Sequence, residues 1–164
     1  MRLNLCEIIE MPGKNLPFSC SLETERLFCP AIKSFISPPL ATGWVSNSAG
    51  ALTLTGTITA DMVCICDRCS AEFHCEREIP LTAKLAAELT DEDNPEIFAL
   101  DGNWLDLSDL LETCFILATD AKFLCKEDCA GLCSTCGKNL NDGACACVKE
   151  IDPRLAVLGQ LLDK

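Results

Sequence analysis

Six of the chain's 14 cysteines crowd into residues 125–147, CKEDCAGLCSTCGKNLNDGACAC, and three more fall in residues 64–69, CICDRC. The first of these stretches has only Leu132 and Leu140 as large apolar residues, too few to bury a core of its own. Something other than hydrophobic burial must fold it, and thiols offer disulfides or a metal. The N-terminal MRLNLCEIIEMPGKNL lacks an apolar run of signal-peptide length. No stretch approaches the ~20 apolar residues of a membrane span. The expectation is therefore a cytoplasmic, thiol-reducing setting without membrane association, where clustered cysteines signal metal rather than disulfides.

Within the cluster, Cys133-Ser134-Thr135-Cys136-Gly137 reads as a knuckle. Two intervening residues let both sulfurs face one point, and Gly137 lets the backbone turn after the second. Cys145 and Cys147 follow beyond the turn-forming Asn139–Gly143 stretch and complete four thiolates. Four such ligands suit a tetrahedral structural zinc, with an iron–sulfur cluster less favoured because the spacing does not match common ferredoxin patterns. The favoured metal ligands are Cys133, Cys136, Cys145 and Cys147, with Cys129 as the substitute and Cys125 last. Cys125, Cys129 and Cys133 recur every four residues, which would align them on one helix face. A closed shell of four sulfurs without an HExxH motif argues for structure, not catalysis. No catalytic residue and no small-molecule substrate is assigned.

The rest of the chain, 49% hydrophobic overall, can bury a real core. Residues 51–60, ALTLTGTITA, alternate apolar and threonine positions and predict a half-buried strand running on towards Cys66, with Gly56 marking a bulge or a close backbone approach. A turn at 46–50 joins it to a preceding strand ending near Val45. Residues 72–85 alternate again, interrupted by Arg77 and by Pro80, an edge or bulge signal. CDRCS thus sits in a turn between two strands. His74, the only histidine, falls on the polar side and reads as a solvent-facing residue sooner than a ligand. Residues 91–102 read as a loop. Asp106 caps a helix of about three turns carrying Leu107, Leu110, Leu111, Cys114 and Leu117. Asp152-Pro153 opens a short C-terminal helix. Cys6, Cys20, Cys29, Cys75 and Cys114 read as small buried hydrophobes. The fold class is α+β: an antiparallel sheet or partly open barrel, one amphipathic helix, a zinc-knuckle module and a terminal helix. The division is 1–120 for the body and 121–164 for the cysteine-rich module.

The net charge of −12 belongs wholly to residues 1–120, and residues 85–121 contain no Lys or Arg. That run is a solvated linker and helix face, or a docking surface for a basic partner. Broad nucleic-acid binding needs a basic face that this chain lacks. Lys122, Lys126, Lys138, Lys149 and Arg154 could touch RNA locally.

A strand ending in Cys66-Asp67-Arg68-Cys69, an acidic loop, a Leu-rich helix, then C-x-x-x-C-x-G-L-C-x-x-C-G-x-N-L-N, a C-x-C pair and I-D-P-R-L-A-x-L together resemble the bacterial and plastid YceD family, also called DUF177. The resemblance covers roughly residues 40–164, and its specific parts are residues 129–141 and 151–158. It implies a non-catalytic cytosolic factor needed for large-subunit (23S) ribosomal RNA to accumulate, tied to ribosome assembly. It carries over Cys66, Cys69 and the C-terminal cysteines as motif positions. The expected partner is a basic large-subunit ribosomal protein or pre-ribosomal particle, with ribosomal RNA contacted indirectly. Two other readings stand beside it: a thiol-disulfide oxidoreductase using Cys66 and Cys69 next to Arg68, and a zinc-ribbon nucleic-acid module. For Cys66 and Cys69, packing of the turn, a binding loop and a second metal site are further possibilities.

Overall fold

Alternation over a β-branched stretch produces the longest elements. In the computed structural model, which describes residues 1–86 and 97–147, β1 (Arg2–Asn4) and α1 (Cys6–Glu10) precede β2 (Asn15–Ser21). A 3-10 turn (Thr24–Arg26) leads to β3 (Ile32–Ser48), β4 (Ala51–Ile65) and β5 (Glu72–Ala86). After them come β6 (Ile97–Ala99), β7 (Trp104–Asp106), α2 (Leu107–Ala118) and a 3-10 turn at Leu140–Asp142. The main sheet has the order β2-β3-β4-β5-β6, and β1 pairs with β7 in a separate two-stranded ribbon. The five-stranded sheet is open, not a closed barrel. It is antiparallel except at β6, which runs parallel to the end of β5.

Leu52, Leu54, Ile58, Ala60 and Met62, on one face of β4, are buried, and Cys75, Ile79, Leu81, Ala83 and Leu85 of β5 join the same core. Leu107, Leu110, Leu111 and Phe115 of α2 enter it from the other side, the Phe115 ring packing tilted against Phe35 with centroids 6.0 Å apart. Asp106 caps α2, accepting from the amides of Ser108 (3.2 Å) and Asp109 (3.4 Å). Buried Asn47 ties α1 to the β3–β4 turn: its amide donates to the carbonyls of Ile8 and Ile9 while its oxygen accepts from the Gly50 amide.

Several expectations shift. The turn is tighter than 46–50: Ser46, Asn47 and Ser48 are strand residues, and Ala49 and Gly50, both at positive φ (53° and 92°), make the reversal. Paired positive φ values are what a two-residue hairpin loop needs to match strand twist. Gly56 is a close approach, not a bulge. It faces Gly43 in an unbroken register, and a Cβ on Gly56 would lie 2.3 Å from the Thr42 carbonyl oxygen. The irregularities lie instead in the first half of β3, between Ile32 and Leu40. Part of the expected 91–102 loop is strand β6, because Ile97–Ala99 finds the end of the β5 edge. The helix stripe also moves. Phe115 is buried, Cys114 is half-buried and Leu117 is 71% exposed, since Phe115 stands one turn beyond Leu111 and Leu117 has rotated off that face. Arg77 occupies an inward-parity position of β5 yet stays exposed and reaches the Asp120 carboxylate at 3.1 Å. The expected C-terminal helix lies outside the described residues, as do residues 91–96 of the loop.

Among the scattered cysteines, Cys20 and Cys75 are buried, and Cys6, Cys29 and Cys114 are half-buried. Burial pushes the Cys20 and Cys114 thiols above their ordinary range. Buried Glu112 sends one carboxylate oxygen to Arg26 at 3.0 Å, while its other oxygen has no hydrogen-bond partner among the described residues. Burial raises its carboxyl above the usual range, against the pull of Arg26.

These contacts set three expectations. Gly56→Ala should destabilise by about 1–3 kcal/mol through backbone overlap, read as a lower denaturant midpoint at unchanged slope. Phe115→Ala should cost about 3–5 kcal/mol, whereas Leu117→Ala should stay within about 0.5 kcal/mol. Because the folded-state carboxyl of Glu112 is raised, its contribution to stability is fully present at acid pH and falls as pH rises from the unfolded range through the folded one. Glu112→Gln should remove that part of the pH dependence in thermal melts.

Candidate metal centre

The eight clustered cysteines other than Cys64 form two groups of four, and within each group the sulfurs all lie within 4.8 Å of one another. One group is Cys133, Cys136, Cys145 and Cys147. The other joins Cys66 and Cys69, in the turn between β4 and β5, to Cys125 and Cys129 from the segment after α2. Cys125 and Cys129, expected as reserve ligands of the Cys133 knuckle, are therefore grouped with the hairpin turn and not with that knuckle. Nor do they share a helix face with Cys133, because residues 121–139 form turns and irregular backbone. Turns let the sulfurs of 125 and 129 fold back on the hairpin tip, away from Cys133.

The two C-x-x-C turns are built alike. In the first, the Ser70 amide donates to the Cys66 carbonyl (2.8 Å) and the Cys66 amide to the Ala71 carbonyl (2.9 Å). In the second, the Gly137 amide donates to the Cys133 carbonyl (2.9 Å) and the Cys133 amide to the Lys138 carbonyl (2.9 Å). The residue after the second cysteine is left-handed in both, with φ 54° at Ser70 and 71° at Gly137. Each turn also aims amides at its first sulfur. Burial pushes the Cys66 thiol up, but the amides of Cys125, Cys69 and Arg68 outweigh it and bring it down to about 6. The amides of Cys136 and Thr135 bring Cys133 to about 6 as well. Cys64, one strand period before Cys66, faces the main core, and burial pushes it up to about 12.

Two of the remaining sulfurs are shifted far the other way. Burial and the neighbouring cysteines push Cys125 up to about 12, and Cys136 followed by burial pushes Cys147 there too. Several thiols crowded into one site cannot all ionise unless positive charge joins them. A divalent soft ion would supply it, so the donor sets fit a thiolate-binding metal.

The first cluster is enclosed and braced. Cys66, Cys69 and Cys129 are at most 5% exposed. The Asp67 amide donates to the Phe123 carbonyl (2.9 Å), and the Phe123 amide returns to the Asp67 carboxylate (2.6 Å). The Arg68 guanidinium donates to the Cys129 carbonyl (3.0 Å), and the Leu132 amide to the Arg68 carbonyl (3.1 Å). Gly131, at φ 76°, passes so near Arg68 that a Cβ would sit 3.1 Å from its carbonyl oxygen. The Asn141 amide donates to the Cys129 sulfur at 3.3 Å and is the main cause of that thiol's lowered pKa. Arg68 thus holds backbone, and its guanidinium is not what lowers the Cys66 thiol. A redox C-x-x-C exposes an attacking thiolate, whereas Cys66 is 1% exposed.

Reasoning from sequence left Cys66 and Cys69 without partners, and it did not anticipate Asn141. The signal was a remainder. Four ligands taken from residues 125–147 leave Cys125 and Cys129 over, matching the unpaired Cys66 and Cys69. A third group, Asp61, His74 and Glu76, also converges. There His74 is exposed and hydrogen-bonds to Asp61, an ordinary surface pair.

With this geometry in hand, comparison with known proteins is informative. Uncharacterized proteins of Mycobacterium bovis and of Mycobacterium tuberculosis strain H37Rv are each 32% identical over 123 residues, covering 71% of this chain and 58% of the relative. The chain thus spans under two thirds of the length of these curated relatives. No solved structure matches. The family described as "Large ribosomal RNA subunit accumulation protein YceD" matches residues 54–162, which include both cysteine clusters. The chain belongs to that family.

Proposed function

We propose that this protein supports the accumulation of large-subunit (23S) ribosomal RNA by binding, without catalysing a reaction. Its partner is a basic large-subunit ribosomal protein or a pre-ribosomal particle in the cytoplasm, and ribosomal RNA is contacted indirectly. The family's description is of an accumulation factor. Among the described residues, no helix is long and apolar enough to cross a membrane.

The observation that carries the choice of partner is where the body's cations go. Arg2 pairs with Asp101, Lys14 with Glu7, Arg26 with Asp109 and Glu112, Lys33 with Glu72, and Arg77 with Asp120. Arg68 is engaged with the carbonyls of Glu127 and Cys129. Phosphate binding draws its affinity from Lys and Arg that release counterions, and these six of the body's seven cationic side chains, all but Lys84, are already committed to the protein's own groups. The surplus on the body is acidic, which complements a basic protein and steers its encounter. Part of the acidic 85–121 run, at Asp101, Asp109, Glu112 and Asp120, is neutralised internally. The partner-facing charge therefore lies in acidic groups beyond those pairs, such as exposed Glu10, Glu25 and Glu78.

In this reading Cys133, Cys136, Cys145 and Cys147 hold a structural zinc that folds the polar knuckle. Four sulfurs are the donor set that zinc takes in closed structural sites. Tetrathiolate zinc carries a net double negative charge, which adds to the acidic character.

Titrating the full chain against purified basic large-subunit proteins and against 23S ribosomal RNA fragments at near-physiological salt separates the readings by fluorescence anisotropy. Saturable protein binding that weakens as salt rises is expected. Binding to bare RNA alone, with no ribosomal protein bound, would overturn the proposal in favour of a zinc-ribbon nucleic-acid module.

A further inference from the structure

We propose that Cys66, Cys69, Cys125 and Cys129 bind a second zinc ion, distinct from the knuckle's, which fastens residues 121–147 to the tip of the β4–β5 hairpin. The inference does not rest on the ribosomal reading and stands or falls separately from it.

Geometry comes first. A tetrahedral ion with zinc–sulfur bonds of about 2.3 Å has sulfur–sulfur edges of about 3.8 Å. The Cys66–Cys129 and Cys69–Cys125 sulfur pairs both stand 3.7 Å apart, and the whole group fits within 4.8 Å. A disulfide needs about 2.05 Å, so neither pair is bonded. A multi-iron cluster spreads its cysteines over several metal atoms, wider than a quartet gathered around one point. The donors are all soft thiolates, with no carboxylate or water-bearing position, which selects against calcium or magnesium.

The turn is the second argument. Cys66–Ser70 reproduces the backbone hydrogen-bond pattern of Cys133–Gly137 bond for bond, with a left-handed residue after the second cysteine in both. That turn brings both sulfurs of a C-x-x-C pair to one point, as two ligands of a single ion require. Burial is the third. Three of the four ligands are closed off from solvent, as a structural ion's shell would be. The Asn141 amide on Cys129 is an outer-shell hydrogen bond of the kind that holds a ligating sulfur in place.

The ion's task follows from where its ligands come from. Two belong to the hairpin tip and two to the chain after α2, so one ion cross-links segments far apart in sequence. The knuckle's four ligands, by contrast, all lie within residues 133–147.

Full-length protein purified anaerobically under reducing conditions should contain two zinc ions per chain by metal analysis. A variant with Cys133, Cys136, Cys145 and Cys147 all changed to Ser should keep one. Cobalt(II) in its place should give the intense visible bands of a tetrahedral tetrathiolate. Should that variant not fold, alkylation mapping of the wild type gives the same answer: Cys66, Cys69, Cys125 and Cys129 stay protected together and become reactive together as a chelator removes the second ion. Asn141→Ala should retain both ions but release one about 10-fold faster to a chelator. One zinc per wild-type chain, iron in place of zinc, disulfides among these four cysteines, or their uniform reactivity before chelation would each overturn the proposal.

Discussion

The structure hinges on a meeting at the tip of the β4–β5 hairpin, where chain returning from α2 folds over the turn at Cys66–Ser70. The ladder ends at the Ile65–Glu72 pair, so the turn projects beyond the main core, and its sulfurs sit in a small separate cluster with Ala71, Phe73 and Leu124 packed against it. Phe123 sets the register of the returning chain. Its side chain is 2% exposed within the main core, while its amide and carbonyl both bond to Asp67. Two residues later Cys125 reaches Cys69, and four more bring Cys129 to Cys66. Each hydrogen bond here is worth about 0.5–1.5 kcal/mol net, whereas a structural zinc supplies about 10–16 kcal/mol in small zinc modules at neutral pH. In the two-zinc proposal, metal binding would outweigh these hydrogen bonds in holding the cysteine-rich segment in place, and the hydrogen bonds fix its geometry.

Much of this was legible in the residues. Strands β4 and β5, the turn carrying Cys66 and Cys69, and the Asp106 cap are local patterns that burial and hydrogen bonding enforce wherever they occur. What was not legible depends on distant partners. Gly56 needed Gly43 across the ladder before its meaning could be fixed. Phe115 belonged to the apolar face only once the sheet opposite α2 was known. Ile97–Ala99 has no strand signature by itself and pairs because β5 offers an open edge. The partners of Cys66 and Cys69 lie more than fifty residues away, a separation that no local spacing rule spans.

Charge behaves in the same way. The acidic run after Leu85 looks like one continuous surface on paper, yet Arg2, Arg26 and Arg77 return from remote strands and loops to neutralise four of its carboxylates. Those of the pairs that are exposed add little stability each. In the proposed reading their larger effect would be on recognition, since they occupy cations that phosphate would need and localise the remaining negative surface.

The two cysteine quartets are not independent. The 3-10 turn at Leu140–Asp142 sits inside the knuckle, between Cys136 and Cys145, yet it places the Asn141 amide on Cys129 of the other quartet. Asn139 braces that amide at 2.8 Å, the Asn141 oxygen accepts from the Ala130 amide, and the Leu140 amide bonds to the Gly131 carbonyl. Closing the loop from Cys69 to Cys125 costs about 1.5 kcal/mol more in chain entropy than closing the short loop within the knuckle. The local quartet is thus the easier to gather, and the turn inside it carries the Asn141 contact to the distant one. A glycine at 131 and asparagines at 139 and 141 are the means of that coupling, which gives the G-x-N-L-N stretch beside the knuckle a physical task in the neighbouring site.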